Sequence, residues 1–157
     1  MIDPARSSPD ELARAALLLA ASETLPVEEH TGVVEEAFRK GDNAERFALL
    51  KSLALLPGSL RFLKTATEAS RAQVRDVFDA IACENAYAAR HFPEPKFNQL
   101  ALMALFLEVP LARVREWQPR RSPELGRMVS DYEAEHVAAG RSVAADIVDT
   151  RRAMGAL

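Results

Sequence analysis

The chain has 157 residues, of which 48% are apolar and 27% charged, a balance typical of an ordinary globular protein rather than a disordered or membrane-embedded one. Its net charge of −3 comes from interspersed acidic and basic residues, which excludes the broad positive field that nucleic acid or anionic lipid would require. The single cysteine, Cys83, excludes an intramolecular disulfide and a cysteine-rich zinc site and is typical of a reducing compartment.

Four helices are predicted in the first half of the chain. They begin near Ser8, Pro26, Asp42 and Ser59. The first start combines a serine cap, a proline that needs no N–H partner and two acids at the positive end of the helix dipole. Gly41 ends the second helix, and a Pro-Gly pair breaks the third.

The second half is predicted to contain three or four further helices. They begin near Ser70, Phe97, Leu111 and Ser122, and Ser142 caps the last segment. Ser70 and Gln73 have the spacing of a capping box. The helix through FNQLALMALFLEV is apolar on nearly every side, which indicates burial at the centre of the domain. We therefore predict one all-α domain over residues 1–157, with seven to eight helices in an irregular bundle or a short α-solenoid-like stack.

The location of the protein is predicted from two patterns. The first residues, MIDPARSSPDE, lack the basic region and apolar stretch of a signal peptide. No apolar run approaches the roughly 20 residues that span a bilayer. We expect a cytoplasmic protein that is not embedded in a membrane.

Three amide side chains are candidates for binding a substrate. Asn98 and Gln99 lie in the first turn of the apolar helix, and Asn85 follows the apolar face of the preceding helix. Buried amides need hydrogen-bond partners. These amides therefore either bond the free ends of neighbouring helices or orient a polar ligand in an apolar pocket.

Tyr132, Glu135 and His136 are candidates for catalysis. They continue the apolar face of the helix that begins near Ser122, so a phenol, a carboxylate and an imidazole fall within one turn. In a partly buried site, the carboxylate and the imidazole could transfer protons near neutral pH. The alternative is a tyrosine that reaches solvent and an exposed Glu–His pair at the end of the helix, where the dipole favours histidine.

Arginines are concentrated around Trp117. They are Arg113, Arg115, Arg120, Arg121 and Arg127. Guanidinium groups suit carboxylates and phosphates, so an anionic metabolite or an acidic partner could dock here. The alternative is a solvated loop whose charges are balanced by nearby glutamates.

Motifs for several other chemistries are absent from the sequence. His30, His91 and His136 lie far apart and match no metal-binding pattern. Cys83 has no histidine at helical spacing, so we expect a packed residue and not a nucleophile. Glycine-rich phosphate loops and a G-x-S-x-G elbow are also absent. We therefore expect no metal and no cofactor.

Ordered sequence blocks occupy the region from about residue 70 to residue 141. They include VFDAIACENAYAARHFPEPKFNQLALMALF and SPELGRMVSDYEAEHVAAGR. In their order and spacing these blocks resemble the EboA family of bacterial metabolite-traffic proteins. The residues that fall on the family pattern are Arg71, residues 77–82, Asn85, Tyr87, Asn98, Gln99, Pro123, Glu124, Leu125, Asp131, Tyr132, Glu135, Gly140 and Arg141.

The resemblance implies an intracellular helical protein, encoded with a prenyltransferase-like membrane protein and other partners, that helps to move or process small-metabolite precursors for export. The chain also departs from the family pattern. Where the family pattern has lysine, histidine, arginine and tryptophan, this chain has Met103, Ala134, His136 and Val137, respectively. Two prolines of the pattern are replaced by Ala86 and Ala88. The resemblance thus implies a divergent member, and it adds Arg71, Met103 and Arg141 to the candidate substrate-binding residues.

Three functions follow from these observations. The first is binding of a small-molecule intermediate of a bacterial secondary-metabolite pathway in an interhelical pocket, with other proteins of that pathway as partners. The second is a cofactor-independent isomerase, cyclase or lyase that uses Tyr132, Glu135 or His136. The third is a ligand-free adaptor that docks through the arginine segment. An enclosed cavity around the amides would support the first two functions, whereas a filled core would support the third.

Overall fold

The computed structural model describes residues 7–141 together with Val148, Thr150 and Arg152, and every regular element in this part is a helix. The eight α-helices are α1 (Pro9–Thr24), α2 (His30–Lys40), α3 (Asn43–Ser52), α4 (Leu63–Ala69), α5 (Arg75–Ala82), α6 (Tyr87–His91), α7 (Glu94–Phe106) and α8 (Pro123–Ala138). Short 3₁₀ turns cover Ser59–Phe62 and Leu111–Arg113. The all-α prediction is confirmed. Ser142 and most of the segment that it was expected to cap lie outside the described residues.

Side-chain caps fix the predicted starts of α1 and α3. Ser8 accepts a hydrogen bond from the backbone N–H of Glu11 at 3.2 Å. Asp42 and Glu45 form a reciprocal capping box, with N···O distances of 2.8 and 2.9 Å. Each cap satisfies a backbone N–H that would otherwise have no partner, so α1 and α3 begin where their sequences predict.

Two predicted helix starts are wrong. Ser70 does not open α5; its hydroxyl donates to the carbonyl of Thr67 at 2.8 Å. Serine at the end of a helix can bond back to the preceding turn, and here this bond competes with the capping box. The helix begins later, at Arg75. Pro26 likewise opens only a turn, and α2 begins at His30.

Helix α3 lies at the centre of the first half, where α1, α2 and α5 pack against it. Its Leu49, Leu50 and Leu53 are buried. One continuous cluster of buried apolar side chains extends from Val34 to Val129. The described helices therefore form an irregular bundle around this cluster, and α1 and α2 lie on its outer side.

Helix α7 is buried on one side only, whereas its sequence predicted burial on all sides. Phe97 and Leu100 have no exposed surface, whereas Gln99 is exposed and Phe106 is 57% exposed. Apolar side chains are common on protein surfaces, so apolar composition alone does not fix how much of a helix is covered. Within the described residues, none of the helices is both long enough and apolar enough to cross a membrane.

Candidate functional site

Asn85 is buried, as predicted, but its amide is fully used by the backbone. Its Nδ2 donates to the carbonyls of Leu50 at 3.2 Å and Ala80 at 2.8 Å. Its Oδ1 accepts from the N–H of Tyr87 at 3.0 Å. These bonds tie α3 to the turn between α5 and α6, so the geometry gives Asn85 a structural role.

Asn98 and Gln99 are neighbours in α7 with opposite environments. Asn98 is buried, and its Nδ2 donates to the hydroxyl of Ser122 at 3.1 Å, which ties α7 to the start of α8. Its Oδ1 is buried without a hydrogen-bond partner among the described residues. Gln99 is exposed, because successive residues of a helix point about 100° apart. The expectation that both amides point inward is therefore wrong for Gln99.

Two of the three predicted catalytic residues meet on α8. The rings of Tyr132 and His136 lie 4.2 Å apart, and the His136 Nδ1 donates to the Tyr132 carbonyl at 3.1 Å. Burial raises the pKa of the Tyr132 phenol, while the nearby Arg141 opposes this shift and Glu108 adds to it. Glu135 is exposed, so it does not share the half-buried surroundings of the other two.

The remaining candidates are spread over different elements. Arg71 is exposed between α4 and α5, and Met103 is half-buried against the core on α7. Arg141 is exposed after the end of α8. Among the candidates, the described contacts bring together only Tyr132, His136 and Arg141.

Two of the clustered arginines are tied into the fold. Arg113 binds Asp79 and Glu84, each at 3.0 Å, and its hydrogen bond with Glu84 is the main cause of its raised pKa. Arg120 donates to two carbonyls at the end of α6 and lies 4.6 Å from the centre of the Phe97 ring. These guanidinium groups hold loops to helices, which leaves fewer of the five arginines for an acidic partner.

The structure reveals a groove that sequence reasoning missed, in the space between α1 and α2. We call it the α1–α2 groove, and it contains an outer and an inner cavity. The outer cavity, of about 300 Å³, is lined by the apolar residues Leu17, Leu18, Ala37 and Leu49, by Gly41 and by the charged residues Arg14, Lys40 and Glu45. The inner cavity, of about 20 Å³, is lined by Leu18, Ala21, Ser22, Leu25, His30, Val33, Val34, Leu56 and Phe62.

Leu18 lines both cavities of the α1–α2 groove, so the two are neighbours. The charged residues of the outer cavity differ in their pairing. Lys40 pairs with Glu36 at 2.5 Å, and Glu45 is engaged in the capping box of α3. Arg14 has no ion-pair partner in the described part of the chain, so its guanidinium can accommodate an anionic or polar group.

His30 provides a polar atom in the inner cavity. Its side chain is buried, with only 4% of its surface exposed. The Nε2 bonds the carbonyl of Leu25 at 3.0 Å, and Nδ1 is buried without a partner in the described residues. In the sequence, His30 is marked only by its place beside apolar positions of a helix. Metal-binding motifs are defined by the spacing of several ligands, so they do not identify a single buried histidine.

Other polar groups are arranged in ways that suit a ligand less well. A cavity of about 270 Å³ that includes residues of α2 and α4 is lined mainly by charged side chains, among which Lys64 and Glu35 pair at 3.0 Å. Cys83 is buried, and burial raises the pKa of its thiol to about 12. Among the described residues, no three histidine, cysteine or acidic side chains are placed to hold a metal ion.

Comparison with known proteins gives one significant result. A family model described as "Metabolite traffic protein EboA" matches residues 2–151. The match extends well beyond the blocks between residues 70 and 141 and includes the helices of the α1–α2 groove. No curated protein and no solved structure matches the chain significantly.

Proposed function

Because the chain belongs to the EboA family of metabolite traffic proteins, we propose that it binds a small metabolite in the α1–α2 groove. The observation that carries this proposal is the outer cavity of about 300 Å³. Small-molecule sites are commonly concave and mostly apolar, with a few polar groups that fix the orientation of the ligand, and this volume lies at the lower end of their range.

The lining of the groove supports a ligand with an apolar body. Leu17 is 70% exposed at the outer cavity, and a bound apolar molecule would remove part of this surface from water. Each Å² of apolar surface buried contributes about 25 cal/mol. Arg14, which has no ion-pair partner among the residues that the structure describes, lines the same cavity and is placed to contact a polar group of the ligand.

The biological setting is part of the proposal. The family description supports handling of a metabolite, and the resemblance described above supports a role in a bacterial biosynthetic pathway, in the cytoplasm and beside partner proteins. In this setting the chain holds an intermediate between two steps. A carrier of this kind returns its ligand chemically unchanged.

Filling the groove tests the proposal. Leu18→Trp places a larger side chain between the two cavities, whereas Leu60→Trp adds the same side chain at a 60% exposed position on the Ser59–Phe62 turn. The three proteins are incubated with a small-molecule extract of the source organism and analysed by native mass spectrometry. We expect a retained metabolite with the wild type and with Leu60→Trp, and loss of retention with Leu18→Trp. Equal retention by all three proteins, with both variants folded, would place the ligand elsewhere.

An enzyme is the second candidate function, and the contact between Tyr132 and His136 favours it. A phenol and an imidazole at this distance can exchange protons with a substrate. The proposal is a cofactor-independent isomerase, cyclase or lyase, in which Tyr132, His136 and Glu135 transfer protons. Asn98, whose Oδ1 has no partner among the described residues, would then contact the substrate together with Gln99, Met103, Arg71 and Arg141.

A further inference from the structure

The hydrogen bond of His30 fixes the roles of its two ring nitrogens. A carbonyl oxygen can only accept, so the Nε2 that faces Leu25 at 3.0 Å carries the hydrogen. In the neutral ring, Nδ1 then presents a lone pair. This lone pair is buried and has no partner among the described residues, and His30 lines the inner cavity of the α1–α2 groove.

The other lining side chains cannot satisfy this acceptor. Among the described residues that line the inner cavity, Ser22 is the only other polar one, and its hydroxyl donates to the carbonyl of Leu19 at 2.7 Å. The described lining side chains therefore offer hydrogen-bond acceptors but no free donor. A ligand group that reaches this cavity must supply the donor itself, because an unpaired buried acceptor costs free energy.

The spacing along α2 sets the length of such a ligand. His30 lines the inner cavity and Ala37 lines the outer one. Seven residues of α-helix correspond to about 10 Å along the axis. The inner cavity, at about 20 Å³, has room for one group of the size of a hydroxyl.

We propose that the ligand of the α1–α2 groove is an apolar molecule about 10 Å long that carries a neutral hydrogen-bond donor, a hydroxyl or an N–H, and donates it to His30 Nδ1. The apolar body lies in the outer cavity, and the donor passes Leu18 into the inner one. This inference rests on the proposed function, and it adds the chemical class of the ligand. It excludes molecules whose inner end can only accept a hydrogen bond.

A matched pair of probes tests the donor. 2-Naphthol carries a hydroxyl on a rigid apolar body, and 2-methoxynaphthalene has the same body without the hydrogen. Their dissociation constants are measured by NMR titration of the wild type and of His30→Gln. The glutamine amide can keep the bond to Leu25 but places no ring acceptor at the position of Nδ1. We expect 2-naphthol to bind the wild type about ten-fold more tightly than the ether, and we expect His30→Gln to bind both alike.

A second measurement does not depend on the variant. The ¹⁵N resonance of Nδ1 in the wild type moves upfield when its lone pair accepts a hydrogen bond, so 2-naphthol should shift it and the ether should not. Equal affinities of both probes for the wild type, or an unmoved Nδ1 resonance with bound 2-naphthol, would overturn the inference about His30.

Binding of the two probes to the groove is a separate question from the hydrogen bond to His30. If both probes bind equally and Leu18→Trp abolishes their binding, the groove binds apolar molecules and only the assignment of His30 fails. Failure of both probes to bind would also overturn the inference. In that case the retention experiment with Leu18→Trp and Leu60→Trp still decides the proposed function.

Discussion

The side-chain amide of Asn85 donates a hydrogen bond to the carbonyl of Leu50, 35 positions earlier in the chain, at 3.2 Å. Leu50 lies in the last turn of α3, where its carbonyl also accepts a longer hydrogen bond from the N–H of Leu53, at 3.4 Å. The same amide also bonds Ala80 and Tyr87. One side chain therefore joins α3, α5 and α6 and satisfies three backbone groups in the buried core.

Replacement of Asn85 by alanine should destabilise the fold. Asn85→Ala removes one hydrogen bond from each of three buried backbone groups, and we expect the free energy of unfolding to fall by about 2–3 kcal/mol. Urea denaturation followed by circular dichroism measures this loss. Gln99→Ala, an exposed amide on α7, is the control and should change stability by less than about 0.5 kcal/mol. Equal stability of the two variants would contradict the structural role of Asn85.

Cys83 should be unreactive in the folded protein. Its side chain is fully buried and burial raises the pKa of its thiol to about 12, so almost no thiolate is present near neutral pH. We expect alkylation by iodoacetamide at about pH 8 to be at least roughly 100-fold slower in the native protein than in denaturing urea. Mass spectrometry of the intact chain follows the reaction. Comparable rates in both conditions would show that the thiol is accessible.

His91 should make the fold less stable as the pH falls. Its Nε2 lies 3.0 Å from the hydroxyl of Ser59, and burial, with help from Arg90, lowers the pKa of its imidazole. When the pH falls below the ordinary histidine value of about 6.5, the unfolded chain takes up this proton before the folded chain does. Protonation therefore favours unfolding.

We expect wild-type stability to decrease between about pH 7.5 and pH 5.5, and His91→Gln to decrease less over the same range. The glutamine can still bond Ser59 but does not titrate. Chemical denaturation at several pH values measures both slopes. Identical slopes would show that His91 does not contribute to the pH dependence.

The acid–base hypothesis for Tyr132, Glu135 and His136 on α8 and the carrier hypothesis predict different effects of substitutions in this helix. Glu135→Gln and His136→Asn should leave the affinity of a carrier within a few-fold, because the groove lies on α1 and α2. If either residue is a general acid or base, its loss should lower turnover by about 100- to 10,000-fold. Affinity and product formation are measured with the metabolite that the protein retains. Large and equal losses of binding in both variants would contradict the acid–base assignment.

The sequence predicted best those parts of the fold that depend on local hydrogen bonds. Ser8 and Asp42 cap α1 and α3 as expected, because the capping residue and its partner are three positions apart. Ser70 shows the limit of this reasoning, since its hydroxyl has a competing partner in the preceding turn. Local patterns identify possible bonds, but the surrounding structure selects among them.

The α1–α2 groove could not be predicted in this way. Its walls combine Leu18, His30, Leu49 and Leu56, which are far apart in sequence and meet only through the packing of α1 and α2 on α3. Apolar periodicity predicts which side of a helix faces inward, but it does not predict a gap between two helices. The candidate residues Asn85 and Asn98 were predicted to be buried, and they are, yet burial did not distinguish a binding role from a structural one.

The most direct test of the account is to locate the bound metabolite. Backbone amide resonances of the ¹⁵N-labelled protein are recorded with and without the metabolite that the protein retains from an extract. The account predicts chemical-shift changes concentrated on α1, on α2 and at Leu49 of α3. It also predicts that the metabolite is not converted into a product of different mass. Shifts concentrated around Tyr132 and His136 on α8, or conversion of the metabolite, would contradict it.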